Sequence, residues 1–358
     1  KDVKMKTLYL HIGTPKTATS SIQKFLAENW DVLQKHGYFF PESTHIYPRV
    51  NARRNAHFLS GRVRNGEGIR DKEKKKTYLE EGLQQVRDAF QNYDNVILTD
   101  ESIWYCLCYL KKSLLCDLKK EADKQGYQIK VIVYLRRQDK FLLSRWNQRV
   151  KQKSTSDAVL SCDEYFELTQ KKEKDIYQYG KILDGIAEVI GKENLIVRRF
   201  DVESWRDGSI IHDFMHEIGI DVTPEFHELE KNANLSLDKN TTEIKRILNQ
   251  EESFTMKEIS YMGKFLKKIS ENYIQKDHTE MLAKEELQQF LKKYETENER
   301  IAREYIGDGQ PLFSNEVKDL PKWNPQNEKM QEEIIQFFAA VTMDLRRTII
   351  MPLLNENY

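Results

Sequence analysis

The stretch Leu8-Tyr9-Leu10-His11-Ile12-Gly13-Thr14-Pro15-Lys16-Thr17-Ala18-Thr19-Ser20-Ser21 decides the fold. A largely apolar, β-rich run ends at a glycine, a tight loop follows, and an amphipathic stretch from Ser20 to His36 begins at once. Strand, loop and helix in this order make a phosphate cradle. Gly13 permits a sharp turn off the strand and Pro15 stiffens it. Backbone amides from Lys16 to Ser20 can then converge on an oxyanion at the helix N-terminus. Lys16 adds a positive charge, and the hydroxyls of Thr17, Thr19, Ser20 and Ser21 add donors. A loop that merely caps a helix needs one such hydroxyl. It has no use for a lysine among them.

The rest of the chain repeats the theme. Thr7–Ile12, Asn95–Thr99, Ile129–Leu135 and Asn194–Phe200 are apolar without strict alternation, as expected of parallel strands buried on both faces. Amphipathic stretches at Lys76–Tyr93, Leu114–Gln125, Lys140–Lys153 and Tyr177–Ile190 separate them. Alternation of this kind predicts an α/β fold, a parallel β-sheet flanked by helices. Beyond about Asn240 the strand signal fades, and Thr241–Gln250, Met256–Lys276, Lys284–Tyr305 and Glu328–Met351 read as helices. The expectation is one domain over 1–358, with an α/β core at 1–230 and a mainly helical C-terminal elaboration at 231–358.

The loop is not a Walker A motif, which needs G-x-x-x-x-G-K-[ST]. Lys16 stands three residues after Gly13 with no second glycine before it, and Asp100 after the second strand run is a weak candidate for a magnesium ligand. Two motifs instead carry a resemblance. His11-Ile12-Gly13-Thr14-Pro15-Lys16-Thr17-Ala18-Thr19-Ser20-Ser21-Ile22-Gln23 resembles the phosphosulfate-binding loop of sulfotransferases that use 3′-phosphoadenosine 5′-phosphosulfate (PAPS), closest to the bacterial and carbohydrate-type members. Ala18 departs from that pattern, which carries glycine there. The run Ile129–Leu135 ends at Arg136, and Ser144 follows eight residues later, the spacing with which this family binds the 3′-phosphate. Asn194–Asp201, Asp213-Phe214, the Asn232–Leu237 run and Arg300–Tyr305 are weaker echoes.

The resemblance implies a P-loop NTPase-like sulfotransferase fold. It implies in-line, metal-independent transfer of a sulfonyl group from PAPS to a hydroxyl or amine, leaving 3′,5′-ADP. It places Gly13, Thr14, Pro15, Lys16, Thr17, Ala18, Thr19, Ser20, Arg136 and Ser144 around the cofactor, with Lys16 also catalytic. The general base is left open between His57, in the basic segment, and Glu101, at a strand end where parallel sheets display functional residues. Glu42 is a distant third, and His11 reads as structural. Arg137 is an alternative to Arg136 as the phosphate ligand. Two other classes remain: a P-loop phosphotransferase or kinase, and a non-catalytic sulfotransferase-like nucleotide-binding protein.

Composition bounds the partners. The 358 residues carry 57 basic and 57 acidic side chains, 39% are apolar, and 16 Phe, 17 Tyr and five Trp can build a core. Mean hydropathy is −0.71, and no run reaches membrane-spanning length. The zero net charge hides segregation. Residues 49–76 hold ten Lys/Arg against three acids, and 136–153 hold seven against one. Such islands suggest anionic ligands at particular places rather than general adhesion to nucleic acid or membrane. The first favours an acidic polysaccharide or other anionic acceptor. The aromatics Trp104, Tyr105 and Tyr109, with Tyr38, Phe39 and Phe40, suit a sugar, glycolipid, sterol or phenol, so the acceptor stays open. Cys106, Cys108, Cys116 and Cys162 have neither zinc spacing nor disulfide density. With no signal peptide visible, they suggest a reducing compartment, a bacterial cytoplasm; a Golgi lumen would require an N-terminal anchor to have been removed.

Overall fold

The computed structural model describes residues 5–48, 50–65, 67, 69–109, 113–153, 155–172, 174–229, 237–271 and 278–350. The Asn232–Leu237 run therefore lies outside the described residues except for Leu237. The chain forms two compact units that interleave along the sequence: 1–137, 175–231 and 294–314 make the first, and 138–174, 232–293 and 315–358 the second.

The first unit holds one five-stranded, all-parallel sheet. Its strands are β1 (Lys6–His11), β2 (Tyr38–Phe39), β3 (Asn95–Thr99), β4 (Tyr127–Leu135) and β5 (Leu195–Arg199), in the order β2-β3-β1-β4-β5. Four match the apolar runs of the sequence. The fifth, β2, is two residues long and too short to show a pattern. The centre of the sheet is sealed: Leu8, Leu10, Val131, Ile132, Val133, Tyr134 and Leu135 are all fully buried. Each large aliphatic removed from water there contributes about 1.5–3 kcal/mol.

The helices of this unit begin with α1 (Thr19–Glu28), α2 (Trp30–Lys35), α3 (His57–Ser60), α4 (Lys72–Asn92), α5 (Ser102–Cys108) and α6 (Ser113–Gln125). One sheet face is covered by α1 and the helix Ile210–Glu217, where Ile22, Phe25 and Leu26 meet Ile97, Ile132, Phe214 and Met215. The single helix expected from Ser20 to His36 is broken at Asn29. The Asn29 side chain donates to the Phe25 and His227 carbonyls, each at 3.0 Å, and accepts the His227 amide at 2.6 Å. A contact 198 residues away ends the helix, so the local pattern could not show it.

In the second unit the helices Lys239–Gln250, Met256–Glu271 and Glu328–Leu345 share a core of Leu237, Ile244, Leu266, Ile269, Met330 and Phe337. The expected helix 284–305 splits into Lys284–Lys292, in the second unit, and Glu295–Ile301, in the first. Among the described residues no helix is long and apolar enough to cross a membrane.

Sheet topology selects the place for a site. The chain leaves β1 toward β2 on one side, while it leaves β4 toward β5 on the other. Ligands of open parallel sheets sit outside the carboxyl ends at such a reversal. The loop 13–18 emerges there.

Candidate functional site

The loop after β1 is pinned by β4 and turned by unusual backbone. The Thr14 amide donates to the Tyr134 carbonyl at 2.9 Å, and the Tyr134 amide returns a bond to the Gly13 carbonyl at 2.7 Å. The hydroxyls of Thr14 and Thr17 brace it further, donating to the Tyr134 and Thr14 carbonyls at 3.1 and 2.6 Å. The backbone is left-handed at Gly13, Lys16 and Ala18, with φ of 100°, 71° and 54°. Left-handed turns spaced in this way aim successive amides into one concavity. The amides of Thr17, Ala18, Thr19 and Ser20 take no backbone acceptor among the described residues. They lie at the start of α1, whose N-cap, Ala18, supplies no capping side chain. An anion would satisfy these donors.

Ala18, standing where the resembling loops carry glycine, has a backbone that glycine would adopt more easily. Its φ of 54° and ψ of 24° are left-handed, a conformation that costs a Cβ-bearing residue about 1–2 kcal/mol. Gly13 cannot be exchanged so cheaply. A Cβ there would lie 2.9 Å from the Pro15 nitrogen and 3.3 Å from Glu101 Cβ, so the glycine lets Glu101 approach the loop.

At the end of β3 a buried cluster gathers around Asp100, which is fully buried. Asp100 Oδ2 accepts from Ser60 Oγ at 2.6 Å and from His57 Nδ1 at 2.8 Å. Oδ1 accepts from Arg54 Nε at 2.8 Å, from Arg54 Nη2 and from the Ser102 amide at 3.0 Å. Burial pushes the Asp100 carboxyl up, but the His57 hydrogen bond, the Arg54 and His57 charges and the Ser60 hydroxyl outweigh it and hold the group below its ordinary range. With both oxygens committed, the weak candidate for a magnesium ligand is instead the hub of a hydrogen-bonded cluster. Because the carboxylate only accepts, His57 Nδ1 is the donor in this bond.

Glu101 is one residue on. Its carboxylate meets Arg54 Nη1 at 3.2 Å and accepts from Gln23 Nε2 at 3.3 Å, so it joins the cluster to α1. It is the N-cap residue of α5, but its side chain makes no capping bond. His57 and Glu101, the two candidate bases, are thus linked through Arg54 and Asp100 at one strand end. Glu42 is exposed and is not among these partners.

Arg136 follows β4 and reaches back to the loop. Its Nη1 donates to the Lys16 carbonyl at 2.9 Å, and its guanidinium lies 5.4 Å from the Phe200 ring centroid. Tyr179 Oη donates to the Arg136 carbonyl at 2.7 Å. Arg137 Nη1 donates to the Ser314 carbonyl at 3.0 Å. Ser144 is half-buried on the helix Gln138–Gln152, in the second unit.

Several of the other sequence candidates have structural places. Trp104 is fully buried against Tyr179, Tyr38 and Phe40 are in the core, and Phe39 stacks on Tyr93. The four cysteines form no disulfide. His11 is fully buried, with Nδ1 3.0 Å from Thr99 Oγ1 and the Phe214 ring at 5.3 Å.

Burial pushes the His11 imidazole down from 6.5 to about 3. The unfolded chain then takes up a proton below about 6.5 that the folded chain refuses until about 3, so stability falls as pH falls through that window. The expected slope is at most about 1.4 kcal/mol per pH unit. Denaturant unfolding at several pH values should show a shallower acid slope in His11→Asn than in the wild type. An unchanged slope would remove His11 as its source.

The signal that sequence reasoning missed is Arg54-x-x-His57-x-x-Ser60. These three sit at helical spacing across the turn into α3, which brings all three side chains to Asp100.

No protein-family model matches the chain. An uncharacterized protein of Archaeoglobus fulgidus is 28% identical over 240 residues, covering 64% of this chain and 63% of that protein. The chain therefore spans less than two thirds of the length of this curated relative. Among solved structures, a sulfotransferase from Alicyclobacillus acidocaldarius is similar over 63% of this chain and 86% of its own, with a TM-score of 0.38 and 17% sequence identity.

Proposed function

We propose that the chain is a PAPS-dependent sulfotransferase, acting on a hydroxyl or amine of a carbohydrate or small-molecule acceptor. The observation that carries this reading is the loop at the carboxyl end of β1: left-handed at Gly13, Lys16 and Ala18, with four amides at a helix start that take no backbone acceptor among the described residues, and a lysine beside them. That donor set suits a phosphate–sulfonate group, which offers only acceptor oxygens. PAPS supplies, when bound, a sulfonyl whose bond to the phosphate oxygen breaks with its electron pair as the acceptor bonds to sulfur, leaving 3′,5′-ADP.

The chain's own residues do the rest. The amides of Thr17 to Ser20 hold the phosphate end. Lys16 neutralises the charge that grows on the leaving oxygen, where fixed donors act without reorganisation. Arg136 supports this by tying the Lys16 carbonyl, and by resemblance it also serves the 3′-phosphate. His57 takes the acceptor's proton on Nε2 while Asp100 fixes its ring and tautomer. Glu101 is the second candidate for this role, because Arg54 and Gln23 already engage its carboxylate.

Calorimetry with 3′,5′-ADP, ADP and ATP, without and then with magnesium, tests the reading. We expect 3′,5′-ADP to bind without metal and at least about tenfold more tightly than ADP, a difference of about 1.4 kcal/mol. Preference for ATP with magnesium would replace the proposal with the phosphotransferase.

A further inference from the structure

A cavity of about 430 Å³ lies in the first unit, walled by α3, α4, α5 and α6. That suits one small organic molecule. Its lining divides cleanly by chemistry. Leu59, Val63, Leu79, Leu83, Leu114 and Leu118 make an aliphatic floor. Arg62, Arg70, Lys72 and Lys75 stand around it. None of these four cations has an ion pair among the described residues, unlike Arg54 or Arg87, whose carboxylates are close. The two acids of the lining are engaged elsewhere: Asp71 accepts the Lys74 amide at 2.9 Å as the N-cap of α4, and Asp117 pairs with Lys120 at 3.6 Å. The N-terminus of α4 adds its positive end to the same rim.

One lining residue joins the cavity to the cluster described above. Ser60 donates to Asp100 Oδ2, the oxygen that also meets His57. A ligand seated against Ser60 is one side chain removed from the carboxylate that orients His57.

We infer that this cavity holds the acceptor, and that the acceptor is an amphipathic organic anion: an apolar ring or chain on the leucine floor, with a carboxylate, sulfate or phosphate among the four cations. The inference rests on the sulfotransferase reading for the word acceptor, and on the cavity alone for the ligand class. The floor separates this ligand from an acidic polysaccharide, which could use the cations but has no apolar body to bury. Covering the leucine floor is favourable in itself, but a ligand body that also crowds the cations away from water is penalised unless it brings an anion to pair with them.

Equilibrium dialysis on the whole chain tests it with three probes: hydroxynaphthoate, the neutral naphthol of the same ring, and a short uronic-acid oligosaccharide. Hydroxynaphthoate should bind at one site, at least about tenfold more tightly than either of the others, and Arg62→Ala/Lys75→Ala should weaken it by at least about tenfold. Bound hydroxynaphthoate should also slow maleimide labelling of Cys106, which lines the cavity. Equal binding of naphthol, tighter binding of the oligosaccharide, or no effect of the double substitution would each overturn the inference. Binding of 3′,5′-ADP is measured alongside. If the nucleotide binds and hydroxynaphthoate does not, the cavity assignment fails and the sulfotransferase reading stands. If hydroxynaphthoate binds and the nucleotide does not, the ligand class stands and its role as acceptor falls.

Discussion

Lys16→Ala should lower sulfonyl transfer by about a thousandfold or more while leaving the fold intact. The size follows from removing a fixed charge at the point where charge develops, which costs two to three orders of magnitude for a single neutral donor (roughly 3–4 kcal/mol) and more for a cation. The intact fold follows from how the loop is held, through backbone groups that the substitution leaves in place. What Arg136 grips is the Lys16 carbonyl, which alanine retains. The left-handed backbone at φ 71° costs alanine about what it costs lysine. The unfolding midpoint should therefore shift little, and 3′,5′-ADP should still bind, because the loop amides remain. Single-turnover transfer from PAPS, with a thermal melt of both proteins, checks the split. Near-wild-type turnover would remove Lys16 from the chemistry. A wild type that binds 3′,5′-ADP but transfers to no acceptor in a broad panel would make the chain a non-catalytic nucleotide binder.

The parts of this site differ in how far the sequence shows them. The four long strands are visible because a strand buried on both faces needs an unbroken apolar run, and Val131 to Leu135 is one. The loop is visible because its chemistry is local: glycine, proline, lysine and hydroxyls act within ten residues. Even the strain at Ala18 is legible, since a departure from glycine announces a left-handed turn. What is hidden depends on contacts far apart in sequence. The Asn29 break needs His227, and β2 needs β3 to pair with. Asp100 looks like an isolated acid after a strand, and only folding brings Arg54, His57 and Ser60 to it. Their spacing of three was present in the sequence, but it shows one face of a turn without saying what that face meets. The cavity over α4 is hidden for the same reason: its cations belong to 62–75 and much of its floor to α4 and α6.

Asp100→Asn should cut transfer by about two to four orders of magnitude and also destabilise the protein by about 3–5 kcal/mol. The first figure is the scale found where an orienting carboxylate is removed from behind a histidine. The second is the usual cost of breaking a buried pair on one side. An amide has one acceptor oxygen where Asp100 has two. If that oxygen faces His57 and Ser60, the amide's hydrogens meet Arg54 and the Ser102 amide, donor against donor; the reverse rotamer moves the conflict to His57 and Ser60. Either way Arg54 loses its main counter-charge. The pH dependence has a definite sign. A carboxyl held below its ordinary range stabilises the fold above that range and loses the contribution as pH falls through its folded value. The wild type should therefore lose more stability on acidification than Asp100→Asn does. Because Asp100→Asn changes stability and chemistry together, His57→Gln separates the two: its amide nitrogen can still donate to Asp100, but it offers no base. If His57 accepts the acceptor's proton, His57→Gln loses transfer with its melting point nearly kept, and Glu101→Gln retains most of the activity. The opposite pair of results would assign the base to Glu101, and the buried Asp100 cluster would then be a brace for the strand end rather than part of the reaction.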